Sequence, residues 1–397
     1  MKNVAWAKAR LFPICPDLRR ALRSCVFLAV FIAVFCLFAV PMGLANALNT
    51  MMNTAYQLLV DTALYIMAIA VLAGAISALF TEYGIVELLN RLLSPLMRPL
   101  FGMPGAAALG IITTYLSDNP AILTLAEDLE YRRYFKAYQI PALTNLGTSF
   151  GMGLIVTTFV LGLGRYFEGG TGLAALCGNL GAVIGAIFST RLMMVFTSRT
   201  LGRQQASCQS EPIPQGTHGK EACRLSGGMR IITTLINGGK TGVDLGLGII
   251  PGVLIICTLV VMMTNGAPAD GIYTGGAYEG IALLPAVAER LECILQPLFG
   301  FSSAESIAVP VTALGSAGAA LGIIPALIQN ELADCGDIAV FTAMCMCWSG
   351  YLSTHASMMQ SLKRPDLTGK AIASHTIGGL AAGVAANWLF KLFALIF

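Results

Sequence analysis

The sequence predicts an all-α, polytopic membrane protein with two inverted repeats, each with a re-entrant or broken segment, plus an N-terminal helix. Three observations predict it. Apolar residues make up 56% of the 397, charged residues 11%, and the mean hydropathy is +0.74; soluble domains carry roughly a quarter charged residues. The segment Pro-Leu-Phe-Gly occurs twice, at 99–102 and 297–300. The basic residues fall in clusters that one arrangement of the apolar runs places together on the cytoplasmic side.

At the N-terminus, Lys2, Lys8, Arg10, Arg19, Arg20 and Arg23 precede an apolar run from Cys25 to Val40, and Ala45-Asn46-Ala47 fits a small-x-small cleavage pattern. The run reads as an anchoring first helix in preference to a cleaved signal peptide. Either reading leaves residue 50 outside the cytoplasm. Uncharged stretches then follow at 24–60, 62–81, 99–117, 137–164, 169–190, 245–269, 306–330, 338–362 and 371–390. A helix crosses the bilayer core with about 20 apolar residues, and in lipid the backbone must satisfy itself, so each stretch is expected to be helical. The 43 glycines suit membrane helices that approach closely.

Keeping the 198-residue offset of the repeated segment, 99–123 and 297–321 share nine identities in 25 positions, among them Ala106/Ala304, Thr114/Thr312 and Leu116/Leu314. Val60-Asp61 and Val243-Asp244 each head an apolar run, so Asp61 and Asp244 read as matching span starts. The organisation expected is a basic N-terminus and first helix (1–54), repeat one (55–197), a polar cytoplasmic linker read as a loop (198–237) and repeat two (238–397).

Orientation follows from charge. If 104–126 crossed the membrane fully, Arg132, Arg133, Lys136 and the basic residues near 199–230 would lie outside. If it enters and leaves on one side, they fall inside. The same assumption in repeat two puts Glu331, Asp334 and Asp337 outside, and Lys363, Arg364 and Lys370 inside. The repeats are then opposite in orientation, a pattern of secondary transporters. The bends are Ser117-Asp118-Asn119-Pro120 and Gly315-Ser316-Ala317-Gly318. Pro120 biases Asn119 away from helix, and glycine permits the break in the partner.

Candidate binding residues follow from that geometry. Asp118 and Asn119, with Ser117, sit at the first bend; a membrane carboxylate marks a functional site by default, and a helix cap is the competing role. Ser316 occupies the second bend. Asn145, Thr148 and Ser149 interrupt the span 137–164, and Trp348, Ser349, Ser353, Thr354 and His355 its counterpart 338–362, where they would line the path or bond between helices. Gly181 with Gly185, and Gly379 with Gly383, read as helix-packing pairs. The eleven cysteines include no CxxC pair and the three histidines lie far apart, so no metal site or resident cofactor is expected. A net charge of +3 gives no case for nucleic acid. No nucleophile–base pair or phosphate loop points to an enzyme.

The run PLFGMPGAAALG, the polar break and the Gly-rich span after it resemble the nucleoside-recognition, or Gate, domain of concentrative nucleoside transporters, ferrous-iron transporters and spore-maturation membrane proteins. The resemblance covers 85–165 best and 285–362 more weakly. Ser302-Ser303-Ala304-Glu305-Ser306 is similar to a polar hairpin segment of the nucleoside transporters, which adds Glu305 and Ser306 to the candidates as cation or hydroxyl ligands. The resemblance implies a multi-pass protein of the cell (inner or plasma) membrane. It would move a nucleoside-like or other small polar solute by alternating access between the two bends. A coupling cation, Na+ or H+, would act at Asp118 or Glu305. The lipid bilayer and a small-molecule substrate are the expected partners, and a homo-oligomer is left open. The alternative implied is a non-transporting protein of assembly or signalling.

Overall fold

The computed structural model describes residues 16–127, 129–167, 170–202, 227–268 and 270–396, and all the regular structure among them is helical. Five helices are long and apolar enough to cross a membrane: Ala21–Met42, Leu44–Glu82, Ile140–Arg165, Thr171–Leu201 and Pro365–Ala394.

The chain opens with α1 (Pro16–Met42), whose Phe27, Phe31 and Val40 are exposed, as suits a lipid-facing helix. Gly43, at φ +80°, turns it into α2 (Leu44–Gln57), which continues through a π-helical stretch into α3 (Leu64–Glu82). This corrects two sequence expectations. The first and second spans divide at Gly43 rather than near Asp61, because a glycine at positive φ breaks a helix and a single carboxylate does not. The boundary between 54 and 55 falls inside α2, and Asp61 lies within the continuous helix 44–82.

Repeat one then runs through the amphipathic α4 (Ile85–Phe101), α5 (Ala107–Leu116), α6 (Pro120–Glu127) and the short α7 (Leu129–Arg132). A helix broken into α8 (Ile140–Thr148) and α9 (Gly153–Gly162) follows, and then the long α10 (Thr171–Leu201). Repeat two has the same parts. They are α11 (Gly227–Gly252), continued through a π-helical stretch into α12 (Thr258–Thr264), α13 (Leu283–Arg290) and α14 (Glu292–Phe299). Next come α15 (Ala308–Ala313), α16 (Ala317–Gln329), the broken pair α17 (Cys335–Cys347) and α18 (Tyr351–Ser361), and α19 (Thr368–Ala394). Of the expected linker, 198–201 and 227–237 are helical, and 203–226 lie outside the described residues. Asp244 lies inside α11, so neither aspartate opens a span.

The repeat is written in the backbone. Left-handed residues recur at the 198-residue offset: Gly84 and Ala282 (φ 72° and 48°), Gly102 and Gly300 (70° and 68°), Met152 and Gly350 (56° and 62°). Each amphipathic helix ends on such a glycine, and a side chain from the last helix of its repeat satisfies the free carbonyls. Arg191 of α10 donates to Leu100 O at 2.6 Å and to Pro99 O; Asn387 of α19 donates to Leu298 O at 3.0 Å.

The halves run in opposite directions. A Cβ on Gly74 of α3 would meet Gly238 of α11, one on Gly246 would meet Met67, and Arg230 pairs with Glu82, so α3 and α11 are antiparallel. Along α10 and α19, Gly181 faces Ala382, Gly185 faces Gly378, and Lys370 donates to Thr200 at 3.0 Å, again antiparallel. Small residues let these backbones touch.

A loop, 270–282, is tied to α2. Asn46 Nδ2 donates to Tyr273 O (2.9 Å), Asn53 Nδ2 to Gly275 O (2.8 Å), and Tyr278 N to Thr54 Oγ1 (2.9 Å). Glu279 holds the loop's shape, accepting from Thr274 Oγ1 (2.6 Å) and from the N–H groups of Thr274, Gly275 and Gly276 (3.1 Å each). Burial pushes the Glu279 carboxyl up, but these donors outweigh it and hold it below its ordinary value. The ionised form is therefore favoured by folding, and its contribution is present above the unfolded pKa and lost as pH falls through the lower folded value. Thermal unfolding in detergent at pH 7 and near pH 4 should show wild type losing more stability on acidification than Glu279→Gln; equal losses would contradict the clasp.

Candidate functional site

Two hairpins carry the site. Tyr131 Oη donates to Ala106 O at 3.1 Å across 25 residues, so the chain after α6 returns to the start of α5. Ser306 Oγ donates to Leu332 O at 3.2 Å across 26 residues, closing the mouth of α15–α16 in the same way. Each segment therefore enters and leaves at one end, as charge had indicated, and the opposed repeats bring them in from opposite faces.

Their tips meet at the breaks of α8–α9 and α17–α18. Asn119 is 3% exposed and its Nδ2 donates to Ser349 O at 2.6 Å. Its Oδ1 packs on Gly151, where any Cβ would collide with it, and has no hydrogen-bond partner. From the other hairpin, Gly350 N donates to Ala313 O at 3.0 Å, and a Cβ on Gly350 would press on Gly315 O. The two sides of the repeat touch where the helices cross: Cys347 Sγ lies 3.7 Å from Ser149 O, and the two positions are 198 residues apart. A pseudo-two-fold axis thus passes between the breaks. Eight half-helix ends lie at these bends and breaks, four of them N-termini, which present N–H groups, and four C-termini, which present carbonyls. Such an assembly can hold a polar or ionic solute at membrane depth, where irregular backbone survives only in a covered or watered cavity.

The expected residues are distributed unevenly over it. Ser117, Asp118 and Asn119 form tip one. Ser117 Oγ donates back to Thr113 O (2.7 Å), and Asp118 Oδ1 accepts from Asn119 N (2.7 Å), which orients the asparagine. Ser316 caps α16, accepting from Ala319 N at 3.2 Å. Thr148 and Ser149 are fully buried at the end of α8; Ser149 Oγ donates to Asn145 O (2.9 Å), while Thr148 Oγ1 has no partner. Asn145 lies a turn deeper and joins three helices, the two N–H groups of its Nδ2 lying among three acceptors, Ser374 Oγ (2.9 Å), Ser189 Oγ (3.0 Å) and Ala371 O (3.1 Å). His355 is fully buried in α18, and Ser353 lies in the same helix.

Glu305 and Ser306 are not at the tips. They sit at the mouth of hairpin two, in a single tight turn before α15, because the hairpin's apolar arm, not its entrance, reaches the centre. Glu305 lines a cavity of about 300 Å³ with Glu289, Glu292, Ser302 and Ser303, and Ser306 serves the mouth bond. Sequence reading missed Ser189, Ser374 and His375 as partners of Asn145 and His355, and Gly151 as a seat for the tip, whereas Ser349 was among the residues expected to face it. Apolar flanks hid the first three. The 198-residue offset between Met152 and Gly350 was the available signal for the breaks.

No family model matches the chain, and no curated protein matches it. Solved structures do. A variant of the concentrative nucleoside transporter CNTnw in an outward-facing state is 14% identical, with a TM-score of 0.54 over 96% of this chain and 87% of that one. CNTnw in an inward-facing substrate-bound state is 12% identical, with a TM-score of 0.51 over 95% and 88%. A variant in an intermediate state is 12% identical, with a TM-score of 0.50 over 96% and 88%. The chain is a multi-pass membrane protein that shares its fold, over nearly its whole length, with the concentrative nucleoside transporter CNTnw.

Proposed function

We propose that this chain is a cell-membrane transporter that moves a nucleoside-like or other small polar solute, with alternating access at the place where the two tips meet. One observation carries the reading: Asn119 of tip one and Ala313–Gly315 of tip two both seat on the Ser349–Gly350 break. A site shared by opposed repeats opens to one side or the other when one repeat rocks against its partner. The Gate-like run supports the nucleoside class. A coupling cation, Na+ or H+, belongs at tip one, where Asp118 orients Asn119 and the unpartnered Asn119 Oδ1 faces the break at Gly151. The test is a thermal-shift screen of the purified chain against nucleosides, nucleobases and amino acids in sodium and in potassium, then uptake of each hit into proteoliposomes. Stabilisation by one class, with uptake of its members, is expected. A flat screen together with a copurifying protein partner favours a role in assembly.

The homo-oligomer has its own support. Lys240 and Asp244 are exposed on α11, between Gly238 and Gly246, which abut Gly74 and Met67 within the long helix 44–82. Charges facing lipid at that depth are costly, whereas a second copy of the chain can pair them. Lys240→Glu should shift the detergent-solubilised protein toward monomer by light scattering, and Lys240→Glu with Asp244→Lys should restore assembly. A wild-type monomer would contradict this.

A further inference from the structure

His355 and His375 are both fully buried, with ring centroids 4.6 Å apart and planes tilted by 42°. They join α18 to α19 directly below the α17–α18 break. Their hydrogen bonds fix both tautomers. His375 Nε2 meets Cys347 O at 2.5 Å, and a carbonyl only accepts, so Nε2 carries the proton. His375 Nδ1 then accepts from Ser189 Oγ at 2.8 Å, and Ser189 in turn accepts from Asn145. His355 Nδ1 lies 3.0 Å from Tyr351 O and donates to it. Its Nε2 is left as a buried lone pair with no donor. Thus three of the four ring nitrogens are engaged, and the fourth is a basic acceptor without a partner.

We propose that His355 and His375 form a binding site for a single proton, taken up from water at His355 Nε2, separate from the tip. The surroundings limit it to one. Among the described residues, the titratable groups beside the pair are Tyr351 of α18, whose ring lies 5.9 Å from His355 and 5.2 Å from His375, and Cys347 of α17. Ser189 from α10 and Asn145 and Thr148 from α8 are neutral, and Lys370 of α19 is turned to Thr200. With no carboxylate against either ring, two imidazolium charges in contact would repel without compensation. A single charge at His355 lies beside the neutral His375 ring and the Tyr351 ring, with no second charge to oppose it. The site lies in the bundle that holds the α17–α18 break. On the transport reading, this proton is additional to the cation at tip one and acts on the helices that hold the α17–α18 break; its binding does not depend on that reading.

The test is solid-state NMR of the full chain in lipid bilayers with ring-15N histidine, in a His218→Gln background that leaves only these two rings. Between pH 8 and pH 4 we expect one unprotonated-nitrogen signal to be lost and one proton gained per chain, with both rings shifting at a common midpoint. His355→Gln should remove that step and leave His375 neutral over the range. The proton count in the unsubstituted pair needs only the His218→Gln background to fold. Two neutral rings at pH 4, two protons bound, independent midpoints, or a step that survives His355→Gln would each overturn the proposal. Because the readout is protonation and not uptake, a chain that transports nothing would still pass or fail it.

Discussion

Replacing Asn119 with leucine should reduce solute uptake about tenfold or more while the chain still folds and inserts. The side chain has two separate tasks. Its Nδ2 ties tip one to Ser349 O on the other repeat, and its unpartnered Oδ1 faces the break at Gly151. Leucine has similar size but supplies neither group. A hydrogen bond between membrane helices is worth about 1–2 kcal/mol at most in many systems, and 1.4 kcal/mol is roughly a tenfold change in an equilibrium. Stability should fall little, since the apolar arms of the hairpin, with Ile122 packed against Gly110 and Gly147, remain intact. The same variant should lose any stabilisation that sodium gives over potassium. Asn119→Asp, which keeps an acceptor but lacks the donor to Ser349, should retain cation stabilisation and lose uptake. Wild-type uptake and cation response in Asn119→Leu would remove tip one from the site.

A larger effect on folding is expected from Gly185→Val. α10 and α19 cross in backbone contact at Gly185 and Gly378, and a Cβ on Gly185 would strike Gly378 O, the Ala382 side chain and Cys347 Sγ. None of these is the end of a flexible chain. Overpacking of a core costs about 1–3 kcal/mol, and here the displaced atoms belong to the pair of helices on which both broken helices rest. Detergent-solubilised Gly185→Val should melt several degrees lower or fail to elute as a single species. Gly172→Val, in the same helix with no atom within 4 Å of its added Cβ, should behave as wild type. Equal stability in the two variants would contradict the close crossing.

The sequence was most informative where it repeats. The PLFG pair located the ends of α4 and α14, and the charge clusters required the segments after them to turn back, which the Tyr131–Ala106 and Ser306–Leu332 bonds show. Hydropathy did less well inside the long helix 44–82, since an apolar run looks alike on either side of Asp61 and the turning residue was Gly43. Glu305 entered the candidates through a local resemblance as a cation or hydroxyl ligand, and the structure places it at the hairpin's mouth, a full arm from the Gly315–Ser316 bend. The polar network of Asn145, Ser189, Ser374 and His375 was hidden for a different reason. Its members come from three helices, and single polar residues in apolar runs do not announce which neighbour they meet.

The shared site depends on two segments that enter the bilayer from opposite faces and return. Single cysteines at Glu87 and Lys136, flanking hairpin one, and at Glu289 and Glu331, flanking hairpin two, can be labelled with a membrane-impermeant maleimide in a background lacking the native cysteines. All four positions are exposed. Positions 87 and 136 should react from the cytoplasmic side only, and 289 and 331 from the opposite side only. Reaction of 87 and 136 from different sides would mean that α5–α6 spans the membrane, and the tips would have no common meeting place.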